Sequence, residues 1–413
     1  MIRILIALFI MISVYTSLSQ EICKDYRIYD GAETIYNFGL DTTFNWWAIT
    51  SPTTDRQRLI VNGEESIVYN SVLPPVFSYD GLQWAAFADD QGVTTLLTRD
   101  SAVFLFASEP GEILYSSITN QLVYSYIQGS IETLVLPNRK VDMTNKIGPV
   151  KVNQNASGYA YTVKRGSMVS VNINGKETTT YDRVNPVGFN IENKFVYAAY
   201  IGNGWQIYEN EDPVSEIYPD LYEHAINREG TVYAFTVRSF NGRHQTVTIS
   251  SEYYEPLISK QYEMVNNLTL HPYLPLVGYS SIFQTVRYVG MNSAEYFAGI
   301  QPGKPMFSWD GDEMFFVSCD LDCFVNINGR RYNTKIRLDP SLPIALAPGT
   351  KTIAYTTNAS LMVYFLETGV LHSGMMADYV GEVRYNRFDN RYEAIGVISN
   401  RLYLMTCTPP RRY

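Results

Sequence analysis

"RLIVNGEESIVYNSVLPPVFSYDGLQWAAFA", residues Arg58 to Ala88, holds three short apolar runs separated by two turn signals, Asn62-Gly63 and Asp80-Gly81. Asn-Gly tolerates positive φ at both central positions of a two-residue hairpin, so its twist matches the strands it joins. The stretch therefore reads as strand, tight turn, strand, with a further turn into the aromatic segment at Trp84.

That aromatic segment recurs. "WWAIT" begins at Trp46, "WAAFA" at Trp84, "LVYSYI" at Leu122, "YAYTV" at Tyr159, "FVYAAY" at Phe195, "TVYAFT" at Thr231, "PLVGYS" at Pro275, "EMFFVS" at Glu313, "TIAYTT" at Thr352 and "YEAIGVI" at Tyr392. The spacing is about 36 to 44 residues, and the intervening residues supply three more short strands each. Asn62-Gly63, Asn174-Gly175 and Asn328-Gly329 fall at the same place in their repeats. Four antiparallel strands per repeat of about forty residues predict a β-propeller blade, so the fold class is all-β, a propeller of about ten blades. Asp80-Gly81 then turns strand A into strand B, and Asn62-Gly63 turns strand C into strand D.

"PPVFSYDGLQWAAFA" from Pro74 and "KPMFSWDGDEMFFVS" from Lys304 resemble the Pro-x-Phe-Ser-x-Asp-Gly repeats of TolB-like propellers. The resemblance implies the same unit in length, strand order and A-B turn; it implies a fold and no activity. Elsewhere the element has become "NASG", "NREG" or "APGT".

A propeller must join its last blade to its first, or an edge strand stays open to other chains. After the tenth aromatic segment only "RLYLMTC" remains before the proline-rich end, leaving the tenth blade one strand short. The N-terminal "CKDYRIYDGAETIYNFG" is left over to supply it. The four cysteines agree: Cys319 and Cys323 lie close enough in "CDLDC" to bridge locally, and Cys23 and Cys407 then flank the two closing strands. The alternative is two smaller propellers, divided near Asn241 or Asn266 where the repeat spacing is longest.

The chain begins "MIRILIALFIMISVYTSLSQ", which reads as a signal peptide over residues 1–19, with residues 20–413 forming the propeller. No later stretch is apolar for long enough to span a bilayer. The expected location is secreted, periplasmic or at the cell surface. Net charge is −9 with Lys and Arg scattered, which argues against nucleic acid as a partner. Sequons stand at Asn155, Asn267 and Asn358.

The A-B and C-D turns share one face of a propeller, and the repetitive turn signals sit there. Variation gathers on the opposite face, where the B-C loops carry Lys164, Trp205, Arg238, Arg243 and His244, with Tyr253 and Tyr254 following. A cationic loop near paired tyrosines suits an acidic or sugar-like ligand. His224, His244, His271 and His372 have no chelating spacing, "DGDE" at Asp310–Glu313 coincides with an A-B turn, and Asp320 and Asp322 offer oxygens in a bridged loop. No cofactor is expected and no nucleophile elbow is present. The reading is a non-catalytic propeller that binds a protein or glycan through its variable face. Its rivals are a glycan-active hydrolase or lyase with carboxylates in the central funnel, and a structural subunit of a cell-surface assembly.

Overall fold

A computed structural model describes residues 22–105, 107–251, 255–291 and 294–409. The proposed signal peptide lies outside the described residues. Those that are described form strands and turns without a helix, arranged as ten antiparallel sheets that each hold one complete set of strands A to D. The fold is a ten-bladed β-propeller. Each aromatic segment becomes a second strand: Trp46–Thr53, Trp84–Asp90, Leu122–Gln128, Tyr159–Arg165, Phe195–Ile201, Val232–Arg238, Val277–Phe283, Met314–Cys319, Thr352–Thr356 and Arg391–Ile398. Blades are numbered here in that order. Two compact units divide them. Glu33–Asn37 with Asp41–Ser341 carries blades 1 to 8, and Leu342 onward, with the N-terminal residues to Ala32 and Phe38–Leu40, carries blades 9 and 10. Asn241 and Asn266 both fall inside the larger unit, so the chain does not divide at either.

The tenth sheet is completed from the other end of the chain. Cys23–Tyr29 pairs antiparallel with Arg401–Cys407 as its outermost strand, and Cys23 stands directly opposite Cys407, to which it is disulfide-bonded. Cys319 and Cys323 close the B-C hairpin of blade 8 in the same cross-strand manner.

The local chemistry of the turns explains why these residues recur. Asn62, Asn174 and Asn328 have φ of 51°, 54° and 48°, and the glycines that follow have 90°, 91° and 86°, the conformation of a type I′ turn. Each asparagine also accepts a bond from the first N–H of its blade's second strand, at Trp46 (3.0 Å), Tyr159 (2.9 Å) and Met314 (2.8 Å). At the A-B turns a side-chain oxygen accepts the N–H five residues on. Ser78 takes Gln83 (3.0 Å), Ser116 takes Gln121 (2.9 Å), Asn153 takes Gly158 (2.9 Å), Asn227 takes Val232 (3.1 Å) and Ser308 takes Glu313 (3.0 Å). Serine and asparagine thus serve the same turn, which is why the Ser-x-Asp-Gly element drifts without loss of the fold.

Blades stack through buried faces. Val187, Val196, Trp205 and Ile207 of blade 5 form one cluster with Tyr233, Phe235, Val237 and Val247 of blade 6. Full burial of side chains of this size contributes roughly 1.5–3 kcal/mol each. First strands are also joined across blades: Glu223 of blade 6 accepts the N–H groups of Asn267 (3.2 Å) and Leu268 (2.7 Å) in blade 7. The A-B turns of blades 2 to 6 converge. Arg228 donates to the Ser117 carbonyl (2.8 Å) and lies 4.5 Å over the Tyr79 ring, while Gln154 reaches the carbonyls of Phe189 (2.8 Å) and Glu229 (3.4 Å).

Candidate functional site

A motif that went unnoticed in the sequence sets up the B-C end of blades 5 and 6. After the C-D turn, Ser66-x-x-Tyr69, Thr178-x-x-Tyr181, Ser215-x-x-Tyr218 and Ser259-x-x-Tyr262 repeat the pattern Ser/Thr-x-x-Tyr. Each hydroxyl accepts a third-strand N–H, from Leu59, Val171, Ile207 and Thr246 at 2.9–3.0 Å. Each tyrosine is buried and bridges back to the start of the same third strand, opposite Gln57, Val169, Trp205 and His244. The recurrence of Ser/Thr three residues before Tyr was the available signal. Trp205 and His244 are therefore held at equivalent places in adjacent blades.

Trp205 is buried and meets Tyr200 edge-on, with ring centroids 5.6 Å apart. The Arg183 guanidinium lies 4.4 Å from the Tyr200 ring and 5.1 Å from the Trp205 ring, a distance that suits cation–π attraction. In blade 6 the exposed Tyr222 stacks on His244 at 5.0 Å and 19°. Arg238 ends the second strand and pairs with Asp220, and Arg243 pairs with Glu263 at 3.6 Å. Both arginines of the proposed cationic loop are thus partly neutralised, while Lys164 has no ion pair among the described residues. Tyr253 and Tyr254 lie outside the described residues. The structure brings His244, Arg238 and Trp205 to one end of two adjoining blades and adds Arg183, Tyr200 and Tyr222, which sequence reasoning missed because they lie on other strands.

The His244 Nδ1 is buried with no hydrogen-bond partner among the described residues. Burial, then the nearby Arg238 charge, holds its pKa below the ordinary imidazole value, with Asp220 pulling the other way. His224 and His271 are shifted in the same direction, chiefly by burial. A depressed folded-state pKa means that the unfolded chain binds more protons, so stability is full above pH ~6.5 and falls as pH drops through the folded value. The thermal midpoint is expected to fall on acidification from about pH 6.5. His244→Phe keeps a ring against Tyr222 and removes the proton, so it should flatten that slope; an identical slope would take His244 out of the account.

Three first-strand carboxylates, Glu112, Asp220 and Glu223, are bound into the scaffold. Glu112 accepts from Lys146 (2.9 Å) and the Val150 N–H (3.0 Å), Glu223 joins blade 6 to blade 7, and Asp220 holds Arg238. Asp320 receives the Ile300 N–H. Of the sequon asparagines, Asn155 and Asn358 are exposed, while Asn267 donates its side-chain amide to Ser280 at 3.3 Å.

No family model matches the sequence, and no curated protein matches it. Among solved structures the chain is similar to a eukaryotic initiation factor, at 11% identity and TM-score 0.46 over 77% of this chain and 97% of that one. It is also similar to an oligogalacturonate lyase in complex with manganese, at 11% identity and TM-score 0.39 over 94% and 98%. TolB from Acinetobacter baumannii gives 9% identity and TM-score 0.28 over 77% and 65%. Likeness at these identities concerns the fold alone.

Proposed function

We propose that this protein is an extracytoplasmic, non-catalytic propeller that binds a protein partner through the B-C loops of blades 5 to 8. The observation that carries the reading is a row of apolar tips. Ile201, Phe240, Phe283 and Leu321, at the B-C ends of four successive blades, are exposed by 37%, 67%, 40% and 102%. Large side chains left in water on neighbouring loops mark an interaction surface. Leu321 supports this most strongly, because the Cys319–Cys323 bridge clips the three-residue loop at whose tip it stands. A clipped loop loses little freedom on binding, so more of the contact energy appears as affinity. The two disulfides, which pair all four cysteines, are compatible with an oxidising compartment.

A glycan is the second reading, favoured by the exposed Tyr222 stacked on His244 beside the Arg183, Tyr200 and Trp205 group. Catalysis by funnel carboxylates is disfavoured because Glu112, Asp220 and Glu223 already bond cations and backbone N–H groups.

The test is crosslinking in the native cells with a photoreactive residue at Leu321, or through Lys164, followed by identification of what migrates with the protein. Binding of the captured partner should weaken by roughly tenfold or more in Leu321→Asp and in Phe240→Ser, the loss expected of central interface anchors. Thermal stability should not change, since both side chains are already in water. Unchanged affinity in both variants would reject this surface, and a loss confined to Arg183→Ala and Tyr222→Ala with a saccharide ligand would favour the glycan reading.

A further inference from the structure

The A-B turn of blade 8, "SWDGDE" from Ser308 to Glu313, borders a cavity of about 500 Å³ shared with blade 7. The cavity lies at the opposite end of the blades from the B-C loops. Its walls are Tyr273, Leu274, Met291 and Tyr296, and Asp310 and Asp312 stand at its rim. An apolar pocket of this size with a few convergent polar groups has the dimensions of a ligand site.

His271 builds the pocket without offering a contact of its own. Its Nδ1 accepts the N–H groups of Tyr273 (3.0 Å) and Leu274 (2.8 Å), and its Nε2 donates to the Gly311 carbonyl (3.0 Å). Both ring nitrogens are engaged, and the two wall residues that follow in sequence are held in place. Gly311 is required here: its φ is +81°, and a Cβ would meet the His271 ring at 2.3 Å.

Comparison with the same turn in blade 2 shows what is distinctive. Asp80 accepts from Ser78 Oγ (2.6 Å) and the Leu82 N–H (3.0 Å) through Oδ1, and its Oδ2 accepts from Asn120 of the next blade (3.0 Å). Asp310 repeats the first part, accepting from Ser308 Oγ (2.5 Å) and the Asp312 N–H (3.3 Å) through Oδ1. Its Oδ2 has no partner among the described residues, and Asp310 is one of the residues that line the cavity. Where blade 2 has Leu82, blade 8 has Asp312, an exposed acid whose carboxylate likewise has no partner among the described residues. Two open carboxylates therefore stand over an aromatic and aliphatic well.

We propose that this cavity binds an arginine side chain presented by a peptide or protein segment. A guanidinium forks its N–H groups onto carboxylates and lays its plane on aromatic rings, and the arginine stem covers apolar surface, so the pocket's two halves suit the two halves of that side chain. Lysine offers a point charge without the plane and fits the tyrosine walls less well.

The probe is acetyl-arginine amide, titrated into the full mature chain by calorimetry, with acetyl-citrulline amide as its neutral isostere. The arginine compound should bind saturably, and roughly tenfold tighter than citrulline, as expected for one charge-assisted contact. Asp312→Asn should remove that preference while leaving the thermal midpoint in place, because the exposed carboxylate has no hydrogen bond or ion pair among the described residues. Tyr273→Ala should weaken both compounds together. Equal binding of arginine and citrulline, or an unchanged preference in Asp312→Asn, would overturn the assignment. Crosslinking through Leu321 should be indifferent to Asp312→Asn, so the two sites fail independently.

Discussion

Replacing Cys23 and Cys407 by serine is expected to lower the stability of the propeller by as much as ~6 kcal/mol in the chain-entropy account, whereas replacing Cys319 and Cys323 costs only ~2 kcal/mol. The difference lies in the loops. The first bridge joins residues 384 apart and the second joins residues 4 apart, so the first removes far more freedom from the unfolded chain. Position adds to this. Among the described residues Cys23–Tyr29 is the only strand that reaches its sheet from the other end of the chain, and it pairs with Arg401–Cys407 along its length, with one irregularity between Arg27 and Tyr29. Arg401 donates to Asp30 at 2.6 Å just beyond it. Without the bridge that strand is held by its ladder and a few side-chain bonds, such as Asp25 accepting the Met375 N–H at 3.0 Å, and its loss would leave Arg401–Cys407 as an open edge. Guanidinium unfolding of both double variants checks the order. Hydrogen exchange checks the place, with protection falling first at Lys24–Tyr29 in the Cys23/Cys407 variant. Equal losses in the two variants would mean that the terminal bridge adds no more than a local staple does.

Lys146→Met is expected to destabilise the molecule by ~3–5 kcal/mol, the range for removing one partner of a buried ion pair. Lys146 is almost enclosed, at 10% side-chain exposure, and contacts Glu112 at 2.9 Å and Glu132 at 3.1 Å. The two acids have further duties. Glu112 also accepts the Val150 N–H, and Glu132 accepts from Ser125 Oγ at 2.6 Å. Ser125 in turn accepts the Glu112 N–H at 2.9 Å. Removing the cation leaves two carboxylates facing each other where blades 3 and 4 meet. Burial lowers the Lys146 pKa, but the bonds to Glu112 and Glu132 outweigh it and hold the ammonium above the ordinary lysine value. This contribution is complete below pH ~10.4 and is lost as pH rises through the folded value, so the variant should differ least from the parent in strong alkali. Combining Lys146→Met with Glu112→Gln and Glu132→Gln should recover a large part of the loss, since a neutral set replaces an unbalanced one. Urea midpoints measure the effect. A single variant as stable as the parent would show that the network does not tie these blades together.

Much of the architecture was legible because it depends on short-range preferences. Positive φ at Asn62, Asn174 and Asn328 is a property of asparagine followed by glycine, whatever surrounds it. The aromatic second strands were found to within two residues of their start because a strand buried on both faces leaves an apolar run. The spare N-terminal segment and the two cysteines left after the local Cys319–Cys323 bridge pointed to the same closure, which the pairing of Cys23–Tyr29 with Arg401–Cys407 bears out. The Ser/Thr-x-x-Tyr motif was equally local and could have been read. It was missed because its strands are only two residues long, as at Lys176–Glu177 and Leu257–Ile258.

The candidate site was legible only in part. Arg238 and Arg243 stood out as cations in a long loop, but nothing in that loop announces Asp220 or Glu263, which come from the first strand of blade 6 and the approach to blade 7. The chain alone determined the repeat, the four-stranded unit, the turn types and the strand that completes the last blade, because backbone sterics and apolar periodicity act over a few residues. Tertiary structure decided which charges are neutralised, that Arg228 reaches Ser117 and Tyr79 across several blades, and that Asp310 has no counterpart, among the described residues, of the bond Asp80 accepts from Asn120. Those outcomes depend on distances between side chains brought together by stacking, and electrostatic and hydrogen-bond energies fall away within a few ångströms whatever the separation along the chain.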